Sequence, residues 1–168
     1  IPDVTSTNPS NILGSGFNAY GKTLNIKGNG ILEITSGNTL TIQNLVDVNA
    51  TGTFRIQNSG SLIQIDNVAN TGNISMKRNV NIRKLDYVYW SSPVANFGLT
   101  SVSPTTTGFK YKWIPTISTN LNGFGNWLET SETMVLGKGY IVRGPDNYTS
   151  TLQNFTATFT GVPNNGNL

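Results

Sequence analysis

The chain has 168 residues, of which Asn, Thr, Ser and Gly supply 77, while only 11% are charged and the net charge is +3. With no cysteine and no histidine, it cannot form disulfides, thiolate sites or a Ser-His-Asp triad, and we expect no cofactor and no metal. The charge is small and scattered, and no apolar segment has the length of a membrane helix. We therefore expect neither nucleic-acid binding nor membrane insertion.

The first motif in the chain is a phosphate-loop pattern. Residues 16–23 read Gly-Phe-Asn-Ala-Tyr-Gly-Lys-Thr and fit G-x-x-x-x-G-K-[ST] in full. A phosphate loop must open a helix, but the next residues are Leu-Asn-Ile-Lys-Gly-Asn-Gly, which disfavour one. The segment 21–24 also aligns with 37–40 of the repeat described next. We interpret the motif as a turn between strands, without nucleotide binding.

Residues 21–78 carry an internal repeat. Its unit is a short strand of apolar-x-apolar pattern followed by a Gly, Asn or Ser turn. The strands start at Leu24, Leu32, Leu40, Val46, Phe54 and Leu62. Three strands span 22 residues, so that Leu24 corresponds to Val46, Leu32 to Phe54 and Leu40 to Leu62. A third pass at residues 72–76 is two residues shorter.

A 22-residue period of three short strands is typical of a right-handed parallel β-helix with three faces per coil. Alternation should point the two apolar residues of each strand inward and the middle residue outward. We expect six outward residues: Asn25, Glu33, Thr41, Asp47, Arg55 and Ile63. An antiparallel meander is the alternative, although it would have no reason to repeat at 22 residues.

The second half of the chain has a different character. Of the 16 aromatic residues, 13 lie between Tyr87 and Phe159. Strands are predicted at 86–90, 109–114, 126–129, 139–143 and 155–160, separated by Pro, Gly and Asn clusters. This pattern indicates a β-sandwich-like antiparallel module. The predicted domains are therefore 1–79, a β-helix with an N-terminal lead-in, and 80–168, the antiparallel module.

Two tryptophans are candidates for ligand contact. Trp113 and Trp127 could stack on sugar rings. Alternatively, they are core residues of the module, because aromatic side chains supply much of a small core, and this second interpretation is the one that we favour.

Acidic residues offer little for catalysis. Glycoside hydrolysis needs two carboxylates that face one bond, and Glu129 and Glu132 are the one close pair, which we expect to be solvated. Polysaccharide lyases on β-helices resemble this architecture loosely, but the outward residues do not cluster several acids with a base. We expect no catalytic residues.

Five segments resemble a run found in large secreted proteins of flavobacteria and their relatives. They are 60–65, 71–78, 86–94 (which contains YWSSPV), 137–143 (GKGYIVR) and 159–166 (FTGVPNNG). These proteins are similar to substrates of the type 9 secretion system and are often adhesin-like. The resemblance implies a secreted, cell-surface location, and it brings no catalytic residues.

We expect the chain to be a portion of a longer protein, because it starts at Ile1 without Met and ends in a turn that would lead to a further strand. The function predicted from the sequence is a non-catalytic structural or adhesive segment, a stalk or display element. The expected partners are the rest of the parent chain, other copies or an extracellular polysaccharide. A carbohydrate-binding module is the first alternative and a β-helical lyase the second.

Overall fold

The structure is a computed structural model, and it describes residues 10–12, 14–118 and 123–165. These residues form two compact units. The first contains the described residues up to Asn79, together with Pro93–Ala95 and those from Thr158 onward. The second contains Val80–Ser92 and Asn96–Ala157. Most of the lead-in (1–9, 13) and the end of the C-terminal turn (166–168) lie outside the described residues.

Parallel strands build most of the first unit. In chain order they are β1 (Ser10–Ile12), β2 (Asn18–Gly21), β3 (Leu24–Ile26), β4 (Ile31–Ile34), β5 (Thr39–Ile42), β6 (Val46–Val48), β7 (Thr53–Ile56), β8 (Ser61–Gln64) and β9 (Ile74–Ile82). Strands β2, β5 and β8 form a three-stranded sheet in the order β2-β5-β8, and β3 and β6 form a two-stranded sheet. A five-stranded sheet has the order β1-β4-β7-β9-β14, where β14 is Gln153–Gly161.

The register of these sheets confirms the 22-residue correspondence. Leu24 lies directly beside Val46, Leu32 beside Phe54 and Leu40 beside Leu62, each in a parallel pair. The first five of the six are buried, and Leu62 is half-buried. All six residues expected to point outward are half-buried or exposed. Strands joined at this spacing bury each other's apolar residues, which a single pass of the repeat could not do alone.

Asn38 is a fully buried polar residue at a turn between strands. Its side-chain amide donates to the carbonyl oxygen of Gly14 and the hydroxyl of Thr35, at 3.0 and 2.8 Å. Its side-chain oxygen accepts from the backbone N–H of Phe17 at 3.0 Å. Gly14 and Phe17 belong to the previous pass of the repeat, so Asn38 joins two successive passes by hydrogen bonding to backbone groups of the earlier one.

The shortened third pass has its own substitutes for the missing residues. Gly72 has a φ of +73°, and a β-carbon there would overlap the carbonyl oxygen of Val48, so the turn requires glycine. Asn70 accepts from the backbone N–H of Val46 at 2.9 Å and exchanges two hydrogen bonds of 2.7 Å with Gln64. The Asn70 side chain thus accepts from Val46 as the backbone carbonyl of Leu45 accepts from the equivalent Leu24.

Two of the segments that carry the family resemblance meet in the first unit. Val94 forms a bridge with Pro163, Ala95 N–H donates to the carbonyl oxygen of Val162, and Asn164 N–H donates to that of Pro93. The amide of Asn70 also reaches the carbonyl of Pro163, at 3.0 Å. The Pro-Val of YWSSPV and the Val-Pro-Asn of FTGVPNNG are therefore joined to each other.

Antiparallel pairing dominates the second unit. Its sheet contains β10 (Tyr87–Trp90), β11 (Lys110–Ser118), β12 (Phe124–Glu129) and β13 (Tyr140–Arg143), in the order β10-β13-β11-β12. Among the described residues, the one helical segment is a 3-10 turn at Leu99–Ser101. The chain is thus all-β, as predicted, and its antiparallel strands lie within a few residues of the expected ones. The exception in placement is β14, which we expected in the antiparallel module and which instead lies beside β9.

Candidate functional site

Five aromatic residues share one side of the antiparallel sheet. Tyr87 and Tyr89 lie on β10, Tyr111 and Trp113 on β11, and Trp127 on β12. Tyr89 and Tyr111 both lie opposite Ile141 of β13, and Trp113 lies opposite Trp127. Directly opposed residues point to the same side of a sheet and side chains alternate along each strand, so all five point the same way. We call this surface the aromatic face.

The rings of the aromatic face contact one another. Trp113 and Trp127 meet nearly edge to face with their centroids 5.3 Å apart. Tyr89 lies 6.1 Å from Trp127, and Tyr87 lies 6.2 Å from Tyr111. These separations are typical of stabilising aromatic pairs.

The aromatic face is accessible within its unit. Trp113 is 43% exposed and Tyr89 73% exposed, while Trp127 is half-buried. The interpretation of Trp113 as a core residue is therefore wrong, because its strand presents this side of the sheet outward. A continuous apolar surface of this kind marks an interaction site more often than scattered apolar residues do.

The structure brings Trp113 and Trp127 together and adds three tyrosines that the sequence analysis did not single out. The signal for them was present in the sequence: Tyr87-x-Tyr89 and Tyr111-x-Trp113 repeat at period two within predicted strands. What the sequence did not provide was the strand order, which places β10 and β12 on the same sheet.

Glu132 lies in a polar cluster rather than in solvent, contrary to our expectation for the pair with Glu129. It forms a salt bridge with Lys112, accepts from Lys138 Nζ at 3.0 Å and accepts from the Tyr140 hydroxyl at 2.8 Å. These hydrogen bonds, that of Lys112 above all, lower the pKa of Glu132 to about 2. Lys112 and Tyr140 are direct neighbours on β11 and β13, so the cluster ties the segment after β12 to the sheet.

The phosphate-loop pattern lies on strands. Residues 18–21 form β2 and residues 24–26 form β3, so no helix opens after Thr23. Gly16 N–H donates to the carbonyl oxygen of Gly37, and Phe17 N–H to the side chain of Asn38, so the backbone of the loop is engaged in the repeat. That the loop binds no nucleotide stays a prediction.

Metal-ligating residues do not gather within the described ranges. No three of His, Cys, Asp and Glu lie together there. Of the outward acids, Glu33 faces Arg55 at 4.0 Å and Asp47 accepts from the Thr71 hydroxyl. Among the same residues no helix is long and apolar enough to cross a membrane.

One family matches the whole chain. It is described as Domain of unknown function (DUF8693) and covers residues 1–168. The chain therefore belongs to this family. No curated protein and no solved structure matches it.

Proposed function

We propose that this member of the DUF8693 family is a non-catalytic adhesive segment of a secreted bacterial surface protein, which binds polysaccharide through its aromatic face. The observation that carries the proposal is the cluster of five rings on one side of the sheet, which contact one another as the pair Tyr87–Tyr111 and as the row Tyr89–Trp127–Trp113. Trp113 and Tyr89 are well exposed. The C–H faces of sugar rings pack favourably against aromatic rings. This packing removes apolar surface of both partners from water, and the aromatic side chains lose little conformational entropy.

The shape of the aromatic face favours a polysaccharide chain as the ligand rather than a single sugar. Rings from three strands, β10, β11 and β12, contribute to it, and the contacts run from Tyr89 through Trp127 to Trp113. A row of rings can contact several sugar units in succession, so modest contacts add up along one polymer.

For the first unit we propose the supporting role of a stiff stalk, built as a right-handed parallel β-helix with three faces per coil. The direct pairing of residues 22 positions apart in three sheets supports this proposal. Two contacts between successive passes of the repeat also support it: the hydrogen bond from the buried Asn38 amide to Gly14 and the close approach of Gly72 to Val48. We propose that the four-stranded sheet belongs to a sandwich-like module that displays the aromatic face.

Export and surface location are proposed on the resemblance of YWSSPV, GKGYIVR and FTGVPNNG to flavobacterial secreted proteins. The bridge between Val94 and Pro163 supports a structural role for two of these motifs, YWSSPV and FTGVPNNG. Such a role needs no catalytic residue in either of them.

Retention on insoluble polysaccharide tests the proposed function. The chain is mixed with cellulose, chitin and bacterial cell-wall glycan, and the bound fraction is measured for the wild type and for the double variant Trp113→Ala/Trp127→Ala. We expect retention on at least one polymer and its loss in the variant. Tyr20→Ala is the matched control, because Tyr20 is 76% exposed but lies on β2. Equal retention of all three proteins, or no retention on any polymer, would contradict the proposal.

A further inference from the structure

A cleft of about 780 Å³ lies beside the start of β11 and shares no residue with the aromatic face. Its size is in the range of small-molecule sites. Six residues with hydroxyl side chains line it: Thr100, Ser101, Thr106, Thr107, Thr130 and Ser131. The hydroxyls of Thr106 and Thr130 already bond to other groups of the protein. Hydroxyl groups both donate and accept hydrogen bonds, so this lining suits a ligand that does the same.

Lys110 is the cationic residue of the cleft. The residue is 5% exposed, and its ammonium donates to the carbonyl oxygen of Thr106, which also lines the cleft. An ammonium has three N–H donors, and within the described chain this is the one hydrogen bond that it makes. A buried ammonium with donors to spare is costly unless acceptors reach it, and burial accordingly lowers the pKa of Lys110.

Glu129 supplies the opposite charge. It lines the cleft, and its carboxylate oxygen lies 3.1 Å from the position of a β-carbon on Gly108. Asp146 and Glu129 both attract the charge of Lys110, while Arg143 repels it. An anionic ligand would gain from Lys110 but would meet the carboxylate of Glu129, which lines the cleft. A neutral ligand with several hydroxyl groups can accept from Lys110 and donate to Glu129 at the same time.

The backbone beside the cleft is strained. Phe109 has a φ of +51°, and a bulky side chain in this left-handed region costs on the order of 1–3 kcal/mol. The preceding Gly108, with a φ of +62°, adopts the same region without strain. The guanidinium of Arg143 lies 3.7 Å from the centre of the Phe109 ring and packs against it. Such strain is concentrated at binding sites, and here it shapes the wall formed by Thr106, Thr107 and Gly108.

We propose that this cleft binds a neutral, polyhydroxylated ligand of one or two sugar units, with Lys110 donating to ligand oxygens and Glu129 accepting from ligand hydroxyls. The site shares no residue with the aromatic face, although Glu129 lies directly opposite Tyr111 of that face. It would recognise an individual sugar unit, whereas the face would hold a polymer surface.

Amide chemical-shift mapping tests the proposal. The ¹⁵N-labelled chain is titrated with cellobiose, maltose and N,N′-diacetylchitobiose, and separately with digalacturonate and inorganic phosphate. We expect at least one neutral disaccharide to shift the amides of residues 106–108, 110 and 130–131. The site is refuted if no neutral disaccharide shifts these amides, or if the two anionic probes alone do so.

Two variants locate the contacts. Lys110→Met should weaken binding of the neutral disaccharide about tenfold or more, since it removes a charged donor. Glu129→Gln, at an exposed residue that is safe for folding, should weaken it as well and should strengthen binding of digalacturonate. Glu33→Gln is the matched control with no expected effect. Unchanged affinity in Glu129→Gln would overturn the proposal even if Lys110→Met failed to fold.

The same titration separates this site from the proposed function. Trp113→Ala/Trp127→Ala should leave the shifts at residues 106–108 intact. If that double variant abolishes them, the cleft is not an independent site. If it loses retention on polysaccharide while the shifts persist, both proposals stand.

Discussion

The indole of Trp113 lies over the backbone of Gly125, in the space that a β-carbon at residue 125 would occupy. The two residues are on neighbouring strands, β11 and β12, and Gly125 has a φ of +95°. Only glycine adopts this conformation readily, and its missing side chain lets the indole lie close against β12. The orientation of Trp113 on the aromatic face therefore depends on a residue that contributes no side chain to it.

Gly125→Ala should displace the Trp113 indole and weaken polysaccharide retention. The new β-carbon would overlap Trp113 ring atoms, and the positive φ would add strain on the order of 1–3 kcal/mol. Near-ultraviolet circular dichroism and tryptophan fluorescence report the displacement of the indole, and the retention assay measures the loss of binding. Gly139→Ala is the control, because a β-carbon there meets nothing within 4 Å. If Gly125→Ala keeps the wild-type spectra and retention, the indole does not depend on this contact.

Leu32→Asn should destabilise the first unit by several kcal/mol, because Leu32 is buried beside Phe54 and the change leaves a cavity and an unpaired amide. Urea denaturation followed by far-ultraviolet circular dichroism measures the loss. Arg55→Ala on the neighbouring strand is the control. Its ion pair with Glu33 is loose, at 4.0 Å, and partly exposed, so the expected change is within about 0.5 kcal/mol. Comparable losses of unfolding free energy in the two variants would contradict the assignment of Leu32 to the buried side and Arg55 to the exposed side of these strands.

The strand pairs of the first unit could be predicted from the sequence, because a strict period makes register a matter of counting. Leu24 and Val46 occupy equivalent positions of the 22-residue repeat, and apolar alternation indicates which side is buried. Neither signal depends on residues distant in the fold.

The candidate sites could not be predicted in the same way, because they depend on contacts that no period specifies. Tyr89 and Trp127 meet although β13 and β11 lie between their strands, and no periodicity of the sequence specifies that strand order. Lys110 has the sequence context of an exposed strand residue, yet it is buried and lines a cleft. The pairing of β14 with β9 is also a contact between segments distant in the sequence. No pattern in residues 153–161 indicates which strand lies beside them.

Asn38→Ala should lower the free energy of unfolding by about 1–3 kcal/mol, because it removes a fully buried amide that donates to Gly14 and accepts from Phe17. Thermal and urea unfolding measure the change. Asn49→Ala is the matched control: Asn49 is exposed and its side chain bonds within its own turn, to Thr51. Equal effects of the two substitutions would mean that the Asn38 amide does not join successive passes of the repeat.

Glu132→Gln should destabilise the second unit in a pH-dependent manner. The hydrogen bond from Lys112 is the largest cause of the fall in the pKa of Glu132 from 4.5 to about 2, opposed by desolvation and reinforced by Lys138 and Tyr140. A carboxylate whose pKa is lower in the folded than in the unfolded state binds fewer protons when folded. Its stabilising effect is therefore fully present above the unfolded pKa, near pH 4.5, and is lost as the pH falls to about 2. We expect the difference in free energy of unfolding between wild type and Glu132→Gln to be about 1–2 kcal/mol at pH 6 and to shrink steadily between pH 4.5 and pH 2.

Urea titrations at pH 6, 4, 3 and 2 measure this difference. Glu33→Gln is the control, for which a difference of less than about 0.5 kcal/mol is expected at pH 6. A difference that stays constant across this range would show that the charge of Glu132 does not stabilise the cluster.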